Sequence, residues 1–122
     1  MSASSDDVFQ VEWFGDRVVV SPAAAVEQMR WELLDHAAQA VMAPLRQTPI
    51  PKVVLDLSRV QYFGTVFLSL ILRCHKHIKT HGGTLVLCGA NSMIRELFKI
   101  TVLDTLWQIY DTRDQALEAL GK

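Results

Sequence analysis

A hydroxyl group lies at the point where a buried strand gives way to a long helix. The apolar run 53–55 is followed by a short connection, after which Gly64 and Thr65 open an apolar helix. The first backbone N–H groups of a helix have no partner within the helix, so they attract side-chain oxygens, phosphates and other anions. Thr65 is therefore either a plain N-cap or a hydroxyl that a kinase phosphorylates. The two alternatives predict different functions.

Helical spacing predicts an outward-facing strip that begins at Thr65. At about 100° per residue, the core side of this helix collects Val66, Phe67, Leu70, Ile71, Cys74 and Ile78. Leu68 and Leu72 fall outside that arc and share a stripe with Thr65. Either the neighbouring helix 92–100 covers these leucines, or the strip docks a partner. For docking, the candidate partner-binding residues are Gly64, Thr65, Leu68, Ser69, Leu72 and Lys76.

Motifs for catalysis and for metal binding are missing from the chain. There is no Gly-rich phosphate loop of the GxGxxG or GxxxxGK[ST] type and no GxSxG elbow. His77 and His81 could share a helix face, but no third ligand is close in sequence. Cys74 and Cys88 lack a CxxC spacing. We therefore expect no enzymatic activity, no metal and no cofactor.

Composition and net charge exclude further classes of protein function. The chain has 122 residues, half of them hydrophobic, and a net charge of −1 with both signs scattered. Without a basic patch we expect no nucleic-acid binding, and the longest apolar run, 66–72, is too short for membrane insertion. Separate cysteines and a small, polar N-terminus predict a cytoplasmic protein. Residues 1–7 are predicted to be a disordered tail, and residues 8–120 a single domain.

Apolar periodicity and turn residues predict the order of the elements along the chain. The predicted strands are Val8–Phe14 and Arg17–Val20 (a hairpin), Lys52–Leu57, Thr84–Cys88 and Trp107–Tyr110. The predicted helices are 23–44, with a core stripe of Val26, Met29, Leu33, Ala37 and Val41, then 65–80, 92–100 and a last helix through Leu120. Strands that alternate with helices predict an α/β fold with a mixed, mostly parallel central sheet. We expect helices mainly on one side and the N-terminal hairpin at one edge.

The order of these elements resembles the STAS domain, and specifically the free-standing bacterial anti-sigma factor antagonists. The resemblance runs from Val8 to Leu120. It rests on the strand motif 53–58, on the return 81–87, and above all on the tail 94–104. The family's fold is then expected for this chain. The resemblance also leaves room for a homodimer.

The resemblance implies a partner-switching function. In that family the segment after the strand reads Asp-Ser-Ser/Thr-Gly, and its first Ser is phosphorylated by a kinase that is itself the anti-sigma factor. The matching positions here are Gly64, Thr65, Val66 and Phe67, so Thr65 keeps the hydroxyl. The implied partners are a serine/threonine-kinase-type anti-sigma factor and a PP2C-like phosphatase. The alternative is a constitutive adaptor or scaffold subunit that is never phosphorylated, which Gly64 and Phe67 favour.

Overall fold

In the part of the chain that the structure describes, five strands lie side by side in the order of the sequence. The computed structural model describes residues 9–28 and 30–121; the tail predicted for 1–7 lies outside them and stays a prediction. The strands are β1 (Phe9–Phe14), β2 (Arg17–Pro22), β3 (Lys52–Asp56), β4 (Thr84–Cys88) and β5 (Ile109–Tyr110). β1 pairs antiparallel with β2, and the other neighbours pair in parallel. This confirms the mixed, mostly parallel sheet with a hairpin at one edge.

Within the described residues, four α-helices connect and cover these strands. They are α1 (Leu34–Met42), α2 (Thr65–Thr80), α3 (Ser92–Ile100) and α4 (Arg113–Leu120). Asn91 caps α3, because its side-chain oxygen accepts the N–H of Ile94 at 2.9 Å. Thr112 and Gln115 form a reciprocal capping box at the start of α4.

The two faces of the sheet pack against different helices. Alternate strand residues on one face meet α1, α2 and α3 in the larger core. On the other face a smaller core joins the strands to α4; its buried members are Val19, Val54, Val86, Cys88, Ala116 and Leu120. Because side chains alternate across a strand, the continuous apolar runs in β2, β3 and β4 supply both cores. The prediction of helices mainly on one side is confirmed.

The prediction of one helix over residues 23–44 is wrong. Short 3₁₀ segments (Ala24–Gln28, Trp31–Leu33 and Ala43–Gln47) flank the nine-residue α1. Arg30 is extended, with φ −104° and ψ 152°, and this interrupts the helical path. Leu33 therefore precedes α1 and is 54% exposed, whereas Leu34 is buried in the core. Met29, which was predicted to lie on the core stripe, is outside the described residues.

The last strand begins later than predicted, because Trp107 packs as a core residue ahead of it. Trp107 is 3% exposed, and its indole N–H donates to Nδ1 of His75 on α2 at 2.9 Å. It also meets Phe98 of α3 edge-on, with ring centroids 5.7 Å apart. Partial burial and nearby Lys79 lower the pKa of His75, which favours the neutral imidazole that this hydrogen bond requires.

A close backbone approach fixes the glycine that follows α2. A Cβ on Gly83 would lie 2.1 Å from the carbonyl oxygen of Pro51, well inside van der Waals contact. Gly82 beside it has a φ of +73°, the left-handed conformation that ends many helices. The helix stop predicted at 81–83 is confirmed, and it brings the chain back to pair β4 with β3.

Val102 provides a test of backbone strain. It has a φ of 63° and is 61% exposed, so a β-branched residue occupies the left-handed region with little burial in return. That conformation costs a non-glycine residue about 1–2 kcal/mol, which a glycine at this position would avoid. A glycine would also have more conformational freedom in the unfolded chain, which lowers stability by about 0.4–1 kcal/mol. Val102→Gly should therefore raise the free energy of unfolding in urea by about 0.5–1 kcal/mol. Val102→Ala keeps the Cβ and should not raise the free energy of unfolding. A glycine variant less stable than the wild type would contradict the claim that Val102 is strained.

Candidate functional site

A buried carboxylate fixes the carboxyl end of β3. Asp56 accepts hydrogen bonds from Nε and Nη2 of Arg113 at 3.2 and 3.0 Å, and from the N–H of Ser58 at 3.0 Å. Burial raises the pKa of the Asp56 carboxyl, but the hydrogen bonds from Ser58 and the charge of Arg113 outweigh burial and leave that pKa below its usual value. The ionised Asp56 carboxylate therefore stabilises the folded state above about pH 4, and this stabilisation is lost as the pH falls through the lowered pKa.

The same guanidinium also holds the N-terminal hairpin. Nη1 of Arg113 donates to the carboxylate of Glu12 on β1 at 2.9 Å, and Nη2 donates to the hydroxyl of Ser21 on β2 at 3.1 Å. Arg113 is the first residue of α4, so one side chain links this helix to β1, β2 and β3. The connection that follows Asp56 therefore starts from a fixed point.

Hydrogen bonds to β4, to Glu27 and to Asn91 hold the connection 57–64 over the carboxyl ends of the strands. The N–H of Leu57 donates to the carbonyl of Cys88 at 2.8 Å, which continues the pairing of β3 with β4. The N–H of Gln61 donates to the carboxylate of Glu27 at 3.1 Å. The side-chain amide of Asn91 donates to the carbonyl of Gln61 at 3.0 Å. Both backbone groups of residue 61 are thus satisfied.

Phe63 anchors the end of this connection in the larger core. It is 2% exposed, and its ring lies edge-on to Phe67 with centroids 5.1 Å apart and 5.7 Å from the ring of Phe98. Such aromatic pairs stabilise by about 0.5–1.5 kcal/mol beyond their burial. Gly64 follows the anchored ring directly, so the start of α2 is held in place.

Thr65 is not an N-cap, and that alternative from the sequence is wrong. Gly64 is the N-cap of α2, with φ −103° and ψ −167°, and it has no side chain that could accept a helix N–H. Thr65 is the first helical residue and is exposed, and its hydroxyl makes no hydrogen bond within the described part of the chain. The helix therefore begins with no side-chain cap and with a hydroxyl open to solvent.

The remaining predicted partner-binding residues differ in exposure. Leu72 is 37% exposed, and Lys76 is exposed as well. Leu68 and Ser69 are half-buried, and Leu68 packs against the larger core, which corrects the expectation that it lies off the core arc. Helical-wheel geometry gives the direction of a side chain but not the neighbouring elements that cover its flank. Of the two leucines, only Leu72 is available on the outer face.

Sequence reasoning missed an apolar groove beside this strip. Met93 and Ile100 of α3 face outward, at 60% and 70% exposed, and Leu97 between them is half-buried and packs against the larger core. Together with Tyr62, which is 57% exposed, they line a groove next to the connection 57–64. The signal in the sequence was the spacing 93, 97, 100, which puts all three on one side of a helix.

Neither cysteine thiol is a ready nucleophile. Burial raises the pKa of Cys74 and that of Cys88 to about 12, and for Cys88 the nearby Asp56 carboxylate adds to the effect. Both thiols thus stay protonated at neutral pH and are poor nucleophiles. Within ranges 9–28 and 30–121, no group of three or more histidine, cysteine or acidic side chains could hold a metal ion. In those ranges no helix is long and apolar enough to cross a membrane.

Comparison with known proteins identifies the family. The STAS domain model matches residues 18–116, which is most of the chain. The chain belongs to the STAS domain family. A STAS domain protein from Planctomyces limnophilus, described as an anti-sigma-factor antagonist, has a solved structure that superposes with a TM-score of 0.81. It is 28% identical, and the match covers 93% of this chain and 98% of that one.

Curated relatives of this STAS domain include two proteins named as anti-sigma factor antagonists. BtrV of Bordetella bronchiseptica is 32% identical over 68 residues, which are 56% of this chain and 59% of the relative. A protein of Thermotoga maritima is 33% identical over 71 residues, or 58% of this chain and 63% of the relative. The matches thus span about three-fifths of the curated relatives.

The uncapped start of α2 gives a prediction about stability. Nothing lies within 4 Å of a Cβ built on Gly64, so a larger residue fits there. Gly64→Asp would supply an oxygen for the first free N–H groups and a negative charge at the positive end of the helix dipole. We expect it to raise the free energy of unfolding by about 0.5–1 kcal/mol at neutral pH. Gly64→Asn should keep the cap and lose the charge effect; an unchanged stability in both would mean that the helix end is satisfied by water.

Proposed function

We propose that this STAS domain, residues 8–120, is a regulatory protein without enzymatic activity that acts as an anti-sigma factor antagonist. Its partner would be an anti-sigma factor of the serine/threonine-kinase type, bound through Gly64, Thr65, Leu72 and Lys76. The observation that carries this proposal is the hydroxyl of Thr65, which is exposed, makes no hydrogen bond in the described part of the chain, and heads α2. The relatives named as anti-sigma factor antagonists support an anti-sigma factor as the partner.

Phosphorylation of Thr65 would switch this binding off. The unmodified protein binds the anti-sigma factor and so frees a sigma factor; the kinase activity of the partner then modifies Thr65 and releases the complex. A PP2C-like phosphatase resets the cycle. All of these steps would take place in the cytoplasm.

The helix terminus can accommodate a phosphate without loss of the fold. The phosphate would add about −1.5 to −2 charges beside N–H groups that have no side-chain cap. These N–H groups and the helix dipole favour an anion. The effect of the phosphate would therefore act at the interface, where a dianion would have to be desolvated against the partner. Leu72, on the same face of α2, would then lose its apolar contact with the partner.

The alternative is a constitutive adaptor that is never phosphorylated. The packing of Phe67 favours it, because this ring, at the motif position where the family has Gly, is 1% exposed and packs against Phe63. The motif position is thus used for core packing. Gly64, where the family has Asp, also lacks the carboxylate of the conventional motif. Both readings keep the outer face of α2 as the docking surface, so substitutions at Thr65 separate them.

Substitution of Thr65 tests the switch. Binding to a kinase-type anti-sigma factor from the same host can be measured by titration calorimetry. Thr65→Asp should weaken binding by at least tenfold, because a fixed charge enters the interface. Thr65→Ala should bind like the unmodified protein, and incubation with ATP should release the wild type but not this variant. Since Thr65 caps nothing, we expect Thr65→Ala to change the free energy of unfolding by less than about 0.5 kcal/mol.

Two controls keep the Thr65 test specific. Ser69→Asp places the same charge one turn along α2 and should weaken binding less. Mass spectrometry of the protein from its native host should find phosphate on Thr65. If the wild type and both Thr65 variants bind with one affinity and no phosphate is found, the adaptor reading replaces the switch.

Leu72 tests the docking face. It is 37% exposed, so Leu72→Asp should weaken partner binding at least tenfold while leaving the thermal midpoint nearly unchanged. Leu68→Asp should instead destabilise the free protein, because Leu68 packs against the larger core. Ile50→Asp is the matched control, since Ile50 is 59% exposed and lies before β3, outside the docking face. A large stability loss in Leu72→Asp would place Leu72 in the core instead.

A further inference from the structure

The outward side of α2 carries positive charges and no acidic side chain. Arg73, Lys76 and Lys79 follow one another at a spacing of three, and the helix contains no aspartate or glutamate. At about 100° per residue, Lys76 lies opposite the buried side of the helix, and the other two lie about 60° to either side of it. All three side chains are exposed. They form a positive row across the outward side of α2.

Two members of this row lack a partner of opposite charge. Arg73 forms an ion pair with Asp35 of α1. Lys76 and Lys79 form no ion pair in the described part of the molecule. The helix positions three and four residues from each lysine hold no acid either. The two ammonium groups are one turn apart, so they repel each other without compensation from α2.

The helix itself accounts for one of these lysines and not for the other. Lys79 lies in the last turn of α2, where the helix dipole favours a cation. Lys76 lies before that turn, where the dipole effect has faded, and it has a cation three residues away on either side. Its charge is therefore unfavourable to the isolated domain, and a facing negative charge would relieve the repulsion.

Lys76 shares a stripe of α2 with Leu72, which is one turn nearer the start of the helix. Leu72 is 37% exposed, so an apolar side chain and a free ammonium group lie side by side on the outward face. A partner that covers this surface needs an apolar contact beside a carboxylate. The chain as a whole has a net charge of −1, so its attraction for an acidic protein depends on this side of the molecule.

We propose that the partner presents an acidic surface to the C-terminal half of α2, with carboxylates opposite Lys76 and Lys79. This inference rests on the proposed function and takes the anti-sigma factor as that partner. Complementary charges speed association, fix the orientation of two proteins and disfavour other partners. The lysines would thus select which anti-sigma factor the domain binds, whereas Thr65 would determine when it binds.

The lysines act independently of the phosphorylatable hydroxyl. With a rise of about 1.5 Å per residue, Lys76 lies about 16 Å along the helix axis from Thr65. This separation exceeds the Debye length of about 8 Å at physiological ionic strength, so each charge is largely screened from the other. Substitutions at Lys76 and at Thr65 should therefore have additive effects on the free energy of binding.

Titration calorimetry with a purified kinase-type anti-sigma factor from the same host tests the charge of this surface. At an ionic strength of about 0.05 M, Lys76→Glu and Lys79→Glu should each weaken binding by roughly tenfold, because a carboxylate would then face a carboxylate. Lys76→Arg keeps the charge and should bind like the wild type. An ionic strength of about 0.5 M should reduce the difference between Lys76→Glu and the wild type, since exposed charges are then screened.

Lys99 on α3 provides the matched control. Its side chain is exposed and forms no ion pair within the described ranges, so Lys99→Glu makes the same charge change elsewhere and should have little effect. Lys76→Glu should keep the thermal midpoint, because the new carboxylate has cations one turn away on both sides. Replacement of acidic residues of the anti-sigma factor by lysine, one at a time, should find one that restores binding to Lys76→Glu.

The outcomes separate this inference from the proposed function. If both lysine variants bind like the wild type while Leu72→Asp weakens binding, the anti-sigma factor docks without an acidic surface and only the inference fails. Equal losses in Lys76→Glu and Lys99→Glu would show an attraction to overall charge and would also overturn it. If the wild type binds no anti-sigma factor of its host at any ionic strength, the proposed function fails and this inference fails with it.

Discussion

The ion pair between Asp56 and Arg113 is the interaction on which the rest of the fold depends. It connects the end of the central strand β3 to the start of α4, and the same guanidinium reaches Glu12 on β1 and Ser21 on β2. α4 is the helix that covers the smaller core, so this contact keeps that core closed. The Asp56 side chain is 8% exposed and that of Arg113 is 33% exposed, so loss of Arg113 would leave a largely buried charge without its partner. Replacement of Asp56 by Asn would therefore weaken the link between α4 and the strands whose side chains form both faces of the sheet.

The position of Thr65 follows from this anchor and from Phe63. The connection 57–64 is held at its start by the Asp56 carboxylate, in its middle through Gln61, and at its end by a buried aromatic ring. A loop with so many fixed points presents the start of α2 in one orientation. A partner would then meet a preorganised surface and lose little entropy in ordering it. The phosphorylation that we propose at Thr65 would then change the interface and not the shape of the domain.

The sequence predicted those parts of the fold that depend on local chemistry. The apolar runs of β3 and β4, the glycines after α2, and the caps at Asn91 and Thr112 each act within a few residues of themselves. The break in the helix before α1 was missed because the apolar spacing of about 3.6 residues is the same whether or not the backbone at Arg30 is helical. The exposure of Leu68 was misjudged because neighbouring elements, and not its own helix, decide the burial of its flank. The pair of Asp56 with Arg113 joins residues 57 positions apart, and no local pattern announces it.

The three tryptophans differ in burial, so their fluorescence reports on different parts of the protein. Trp13 and Trp31 are 45% and 57% exposed, whereas Trp107 is 3% exposed and hydrogen-bonded to His75. An aqueous quencher such as iodide would reach the first two and leave the third, so the indole emission divides into an outer and an inner component. The inner component reports on the contact between α2 and the segment after α3, because the Trp107 ring packs between His75 and Phe98. Events at either helix could thus be followed by fluorescence in the unlabelled protein, with Trp13→Phe and Trp31→Phe isolating the buried indole.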